Sequence, residues 1–355
     1  MKILVISLAG IGDTLIATPF LHEMRLQYPD AEIDVLVRWA GSRDLLENNP
    51  HINQVFQKNL ADAPKTETFS FLNQLRARHY DLSINTHPQS PVQYRIVARL
   101  INARLRLSHE YECGSWLDRW LVNRSIPQSY DLHSVFTNVL LLGLLGRKPI
   151  QTAPELEVFL SEADGRWANE FMTANHLDQR KAIGFHIGSG ATKNLVLKRW
   201  PLERYIELIG LLRARHPEIA ILLFGGPQEL ADHHRLRETQ PDPRVLIVES
   251  KTFKQAAALM KRCHAFVSVD TILMHLAAAI RVPNQIVIEA PTLNKTNLPF
   301  RQDYTIVPNP MVNGRNLEYY RYDGRDIQGT REHLIECMKS IKAQDVYAAL
   351  KERLI

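Results

Sequence analysis

The feature that most constrains this chain is a rhythm: short, almost wholly apolar runs alternate with longer amphipathic stretches, and the pattern occurs twice. A strand buried on both faces reads as a continuous apolar run, and parallel strands need a helix-length crossover between them. The first series places strands at 2–7, 33–37, 80–85 and 103–107, with helices such as 14–27 and 68–78 between them. A proline-containing stretch, 147–154, interrupts it. The second series places strands at 182–186, 220–224, 245–248, 265–269 and 285–288. Two doubly wound α/β domains are the economical reading, roughly 1–155 and 156–330. Helices at 331–341 and 344–353 follow, and the reading leaves open whether residues 331–355 pack back onto the first domain.

The chain has 355 residues, enough for two separate cores. Its formal charge of +5 suits anionic small molecules or a membrane surface and does not by itself select a nucleic acid. The apolar start Ile3-Leu4-Val5-Ile6 is too short for a signal peptide and reads as a strand. No apolar stretch approaches the roughly 20 residues that span a bilayer. Cys113, Cys263 and Cys337 are far apart and form no Cys-x-x-Cys pair, which argues against a disulfide framework and fits a reducing cytoplasm.

Ligands of doubly wound sheets gather beyond the carboxyl ends of the strands, so the informative residues are those just after each run. The first run ends Ser7-Leu8-Ala9-Gly10-Ile11-Gly12-Asp13-Thr14. Leu15 stands where a dinucleotide fingerprint needs its third glycine, which disfavours a nicotinamide cofactor. Asp13 opens a helix there, either as a capping carboxylate or as a general base facing a cleft. In the second half, His186-Ile187-Gly188-Ser189-Gly190 follows a strand, and a loop ends in Lys198-Arg199-Trp200-Pro201. Glycines with a nearby lysine suit an anion. Phe224-Gly225-Gly226-Pro227-Gln228-Glu229 offers a carboxylate for a ribose diol or for a helix's first turn. Ser268-Val269-Asp270-Thr271-Ile272-Leu273-Met274-His275 reads as a strand delivering Asp270 as an N-cap. The helix amides behind it suit a diphosphate.

Taken in order, these segments resemble glycosyltransferase family 9, the lipopolysaccharide heptosyltransferases. The resemblance rests on Gly12-Asp13 with Pro19, the run Tyr28 to Asp34, Lys198-x-Trp200-Pro201 and Phe224-Gly225-Gly226-Pro227. It continues through Ser268-Val269-Asp270-Thr271 with Leu273 and His275-Leu276, and the tail Cys337 to Ile341. It implies a GT-B-type fold, two Rossmann-like lobes facing an interdomain cleft. It also implies inverting transfer of a sugar, with ADP-heptose as the leading donor, onto a hydroxyl of a lipopolysaccharide core or related anionic glycan. By the same resemblance Asp13 is the base, Lys198 neutralises phosphate and Glu229 holds the ribose. Asp270, Thr271, Ile272, Leu273 and His275 cradle the diphosphate together with Ser189. No cofactor or metal is implied, and no Asp-x-Asp occurs in the chain. The setting would be cytoplasmic, with a contact at the inner membrane surface left open.

Three positions depart from the family pattern. Ile272 replaces a usual glycine, the loop after His186 is long enough for Lys193 to compete with Lys198, and Leu293 follows Ala290-Pro291-Thr292. Between Pro88 and His109 the chain carries Arg95, Arg99, Arg104 and Arg106 and no acid, a cluster suited to a phosphorylated acceptor or to plain solvent. Arg95 and Arg99 are the acceptor-binding candidates. Two rivals remain at this level: a nucleotide-sugar epimerase or hydrolase of the same fold, and a binding protein that has lost turnover.

Overall fold

The computed structural model describes residues 1–112, 114–190, 192–293, 295–312 and 329–354, without the side chains of 192–194. Cys113 and the side chain of Lys193 therefore lie outside the described residues. The chain divides into two compact units, one running from Met1 to Phe159 and the other beginning at Leu160.

The first unit is built on six parallel strands: β1 (Lys2–Ser7), β2 (Glu32–Val37), β3 (Gln54–Gln57), β4 (Leu82–Asn85), β5 (Leu105–Glu110) and β6 (Arg124–Pro127). They lie in the order β3-β2-β1-β4-β5-β6. Alternation along β1 supplies both faces. Ile3 and Val5 join Phe20, Met24 and Leu141 on one side, while Leu4 and Ile6 join Leu72, Leu75 and Ile101 on the other. Each such fully buried side chain contributes about 1.5–3 kcal/mol relative to exposure.

The helix read at 14–27 is two helices, Ile11–Ile16 and Thr18–Gln27, meeting at Ala17. Pro19 cannot donate to a continuous ladder and sits instead in the first turn of the second helix, where no donor is missed.

The second unit repeats the plan with β7 (Ala182–His186), β8 (Ala220–Phe224), β9 (Val245–Val248), β10 (Ala265–Ser268), β11 (Gln285–Ile288) and β12 (Tyr304–Val307). Their order is β12-β11-β10-β7-β8-β9, again all parallel. Renumbered from its own first strand, this is the topology of the first unit. Ile183, Phe185, Leu223, Val267 and Ile286 form its core with the helix Leu202–Arg215.

The last helices, Arg331–Lys339 and Ala343–Leu354, belong to this second core and not to the first. Met338, Ile341, Val346, Tyr347 and Leu350 are buried in it, and Trp200 donates its indole N–H to the Ile341 carbonyl at 3.0 Å. That corrects the alternative in which they cross back. Their apolar stripe is already spent on the helix Leu202–Arg215 and the neighbouring strands.

The division at 159, rather than 155, also has a visible cause. Glu23, buried in the helix Thr18–Gln27, accepts the backbone N–H groups of Ile150 and Gln151 at 2.7 and 3.0 Å. Thr18 Oγ1 accepts that of Glu157 at 2.9 Å. The connecting segment is thus sewn onto the first unit nearly to its end. Among the described residues, no helix is long and apolar enough to cross a membrane.

Candidate functional site

Each sheet changes winding direction between its first and fourth strands, β1/β4 in one unit and β7/β10 in the other, and a doubly wound sheet opens its ligand crevice there. In the second unit the two strands at that point end in His186 and Ser268, and the residues beyond them converge. His186 Nδ1 lies 2.9 Å from Thr271 Oγ1. Burial, reinforced by His233, Arg199 and Lys198, pushes the His186 imidazole down to about 3, so it is neutral at neutral pH. A neutral ring suits a hydroxyl partner.

This pairing corrects the expected cap. Thr271, not Asp270, is the N-cap of the helix Ile272–Ala279, in extended geometry at φ −147° and ψ 173°. Its hydroxyl faces His186 and makes no cap hydrogen bond to the helix. Orphan N–H groups at the start of a helix carry partial positive charge and suit an anion. Ile272 is consequently the first helical residue and is half-buried, while Leu273 and His275 are buried.

Asp270 does different work. One of its oxygens, Oδ2, lies 3.5 Å from the Lys198 ammonium and accepts the Thr292 hydroxyl at 3.2 Å. Lys198 and Asp270 are both buried, so each needs the other in a poorly hydrated place. Lys198 reaches that position because its neighbours are anchored. Trp200 is fully buried, its ring 4.7 Å from that of Tyr205, and Pro201 caps the helix Leu202–Arg215.

Arg199, between Lys198 and the anchored Trp200, is the residue the sequence reading passed over. Its guanidinium donates to Ser189 Oγ at 3.2 Å, to the Ser189 carbonyl at 3.0 Å and to Glu229 Oε1 at 3.1 Å. Glu229 Oε2 accepts the Gly226 N–H at 2.9 Å. Glu229 can lie against the loop after β7 only because position 188 is glycine: a Cβ there would meet its carboxylate at 2.4 Å. Ser189 and Glu229 are thus joined through Arg199, and both are buried. The available signal was the adjacency of Arg199 to Lys198, since a second cation beside a site lysine must find its own acceptors.

In the first unit Asp13 lies half-buried in the first turn of Ile11–Ile16, and its Oδ2 accepts the Gly10 N–H at 2.7 Å. A capping role is therefore realised. Asp13 also lies close enough to Tyr94 to help raise that phenol, whose shift is led by burial and opposed by Arg38. Asp13, Arg38 and Tyr94 consequently share the electrostatic field beyond the carboxyl ends of β1 and β2.

The acceptor candidates separate. Both lie in the helix Gln93–Ile101, but Arg95 points inward. It pairs with Asp118 and donates to the carbonyls of Gln89 and Ser90, each at 2.9 Å. With its donors committed and its surface 2 % exposed, Arg95 is a structural residue, which corrects the expectation for it. Arg106 is likewise turned in, toward the carbonyls of Leu121 and Ala103. Arg99 is half-buried, bonds Asn102 at 2.7 Å and lies 4.9 Å over the Trp120 ring. Cys263 and Cys337 are buried free thiols.

The family model for glycosyltransferase family 9 (heptosyltransferase) matches residues 68–319. The chain is 27% identical over 280 residues to lipopolysaccharide heptosyltransferase 3 of Escherichia coli, covering 77% of this chain and 78% of that one. It is 25% identical over 325 residues to lipooligosaccharide heptosyltransferase 2 of Haemophilus influenzae, covering 86% and 88%. Among solved structures it shares its fold with a family 9 glycosyl transferase from Veillonella parvula, at TM-score 0.76, 21% identity and coverage of 99% and 97%. It also shares it with the E. coli ADP-heptose heptosyltransferase II, at 0.71, 21%, and 100% and 98%.

Proposed function

The chain belongs to glycosyltransferase family 9, and on that footing we propose that it transfers heptose from ADP-heptose to a hydroxyl of a lipopolysaccharide core, in the cytoplasm, with inversion and without a catalytic metal. The observation that carries the reading is the set of groups beyond β7 and β10: the buried Lys198, the helix Ile272–Ala279 with no side-chain cap, and the neutral His186 beside Thr271. A lysine and oriented amides stabilise a departing diphosphate by preorganised charge. The relatives whose names specify a substrate act on lipopolysaccharide or lipooligosaccharide, and one solved neighbour of the same fold binds ADP.

In the proposed step the acceptor oxygen attacks the anomeric carbon from the face opposite the diphosphate. The new carbon–oxygen bond forms as the bond to the β-phosphate oxygen breaks, the electron pair leaves with ADP, and the acceptor proton passes to Asp13. The Asp270 carboxylate holds Lys198 in place until the phosphate takes over as its partner. Glu229, fixed by Arg199 and the Gly226 N–H, offers its carboxylate edge to the ribose hydroxyls.

The test is direct. The enzyme, stripped with a chelator, is incubated with ADP-heptose and a heptose-truncated core acceptor, and the products are analysed by mass and anomeric configuration. A core heavier by one heptose, of inverted configuration, supports the proposal. Free heptose formed without acceptor would turn the assignment to hydrolysis, and loss of activity reversed only by added metal would remove the metal-free mechanism.

A further inference from the structure

We propose that the first unit holds a divalent-cation site formed by His22, His51 and Glu157, which takes a late first-row ion such as Zn²⁺ and fastens the segment leading out of that unit. The three side chains come from distant parts of the chain: the helix Thr18–Gln27, the turn before β3, and the connecting segment that ends at Phe159. One ligand atom from each lies within 4.8 Å of the other two. His22 Nδ1 is 2.7 Å from Glu157 Oε1, and His51 Nε2 is 3.3 Å from Glu157 Oε2. Metal–nitrogen and metal–oxygen bonds of about 2.0–2.1 Å in a tetrahedron give ligand separations of about 3.3 Å, so the edges are already near that scale.

A second observation points to a ligand. Glu157 Oε2 is buried and makes no hydrogen bond: the His51 nitrogen is near it, but not in bonding geometry. A buried carboxylate oxygen without a donor is costly, and a cation would satisfy it. The neighbouring Arg25 is engaged elsewhere, with the carbonyls of His51, Pro29 and Ala31 and the Asn53 side chain.

The two rings lie parallel at 8° with centroids 3.8 Å apart, and both present a nitrogen to the same carboxylate. Two ring lone pairs converge on one ion only when the planes tilt apart, so binding opens this stack. Two histidines and a glutamate leave a fourth position for water, the composition of an accessible zinc site. The side chains are 28%, 14% and 19% exposed, which gives an ion a route in. The proposal is independent of the sugar transfer and concerns groups of the first unit alone.

The test uses the full chain, freed of metal by dialysis against a chelator. Titration with Zn²⁺ should show one equivalent bound per chain. Co²⁺ in its place should give the visible absorption of a tetrahedral site with nitrogen and oxygen ligands. His51→Ala and Glu157→Gln should each weaken binding at least tenfold while the far-ultraviolet circular dichroism stays that of the wild type. Glu157→Gln separates the readings, since glutamine keeps a hydrogen bond to His22 but is a poor ligand. Absence of a stoichiometric site in the wild type, or equal binding in both variants, would overturn the proposal.

Discussion

The two units share one topology and differ in what they place at the same point of it. Beyond the first strand of each sheet, one chain segment runs Gly10 to Asp13 and the other Gly188 to Lys198. The first is short and closes on itself, with Asp13 accepting the Gly10 N–H. The second is long, and Arg199 staples it to Glu229 while Lys198 turns inward to Asp270. The first unit therefore presents a carboxylate at its switch point and the second presents a cation with an uncapped helix. The difference teaches that, under the proposed transfer, the sheet fixes where the charged groups stand and the loops beyond its strands fix their sign. A base for a hydroxyl and a cradle for a diphosphate call for those opposite signs.

The sharpest way to break the comparison is Asp13→Asn. The amide oxygen can still accept the Gly10 N–H, so the fold should persist, and ADP affinity in the other unit should hardly change. Turnover should fall by roughly 10²–10⁴, the usual contribution of a positioned base. Steady-state rates beside a calorimetric ADP titration check it, and a wild-type rate would reduce Asp13 to a cap.

Next in size is the contrast inside the helix Gln93–Ile101. Arg95→Ala leaves the half-buried Asp118 without its partner and the Gln89 and Ser90 carbonyls without a donor, and should lower stability by about 3 kcal/mol. Arg99→Ala should leave the melting curve almost unchanged and raise the acceptor KM. Thermal melts and acceptor titrations of the two variants decide. A stable Arg95 variant with a raised acceptor KM would return Arg95 to the acceptor site.

Lys198→Ala tests the cationic side. ADP binding should weaken by about 1.5–3 kcal/mol, the scale of a hydrogen bond to a charged group. Because the variant also strands Asp270, Lys198→Met with Asp270→Asn should recover thermal stability without recovering affinity. Recovery of both would mean the pair is structural only.

The smallest expected effect is at Ile272. As the first helical residue it sits where the diphosphate would approach bare amides, and its β-branched side chain is stiff. Ile272→Gly should tighten ADP binding slightly and cost less than about 1 kcal/mol of helix stability. Equal affinities by calorimetry would show that the side chain points clear of the ligand.

Much of the fold was legible because buried parallel strands advertise themselves. The runs read at 2–7, 182–186, 220–224, 245–248 and 285–288 coincide with β1, β7, β8, β9 and β11. The strands that escaped, β3, β6 and β12, all lie at sheet edges. Gln54–Gln57 and Arg124–Pro127 are mixed in polarity and mostly half-exposed, so no apolar run marks them. Among the candidate site residues, Asp13, Ser189, Glu229, Asp270 and Thr271 were singled out one by one by their position after a strand. Their partners were not, because Lys198 meets Asp270 across 72 residues and His186 meets Thr271 across 85.

The sequence by itself determined the two α/β repeats, the family and the residues that stand at strand ends, since local periodicity and short motifs carry that information. Only the tertiary structure decided which arginine faces in, that Thr271 rather than Asp270 caps its helix, and that Arg199 joins Ser189 to Glu229. It also decided that the last helices complete the second core, and the Thr271 hydroxyl, though at the N-cap position, is turned to His186 and makes no cap hydrogen bond. The physical reason is common to all four. A side chain's role depends on which polar and apolar groups remain unsatisfied around it, and that is settled only when distant segments are packed together.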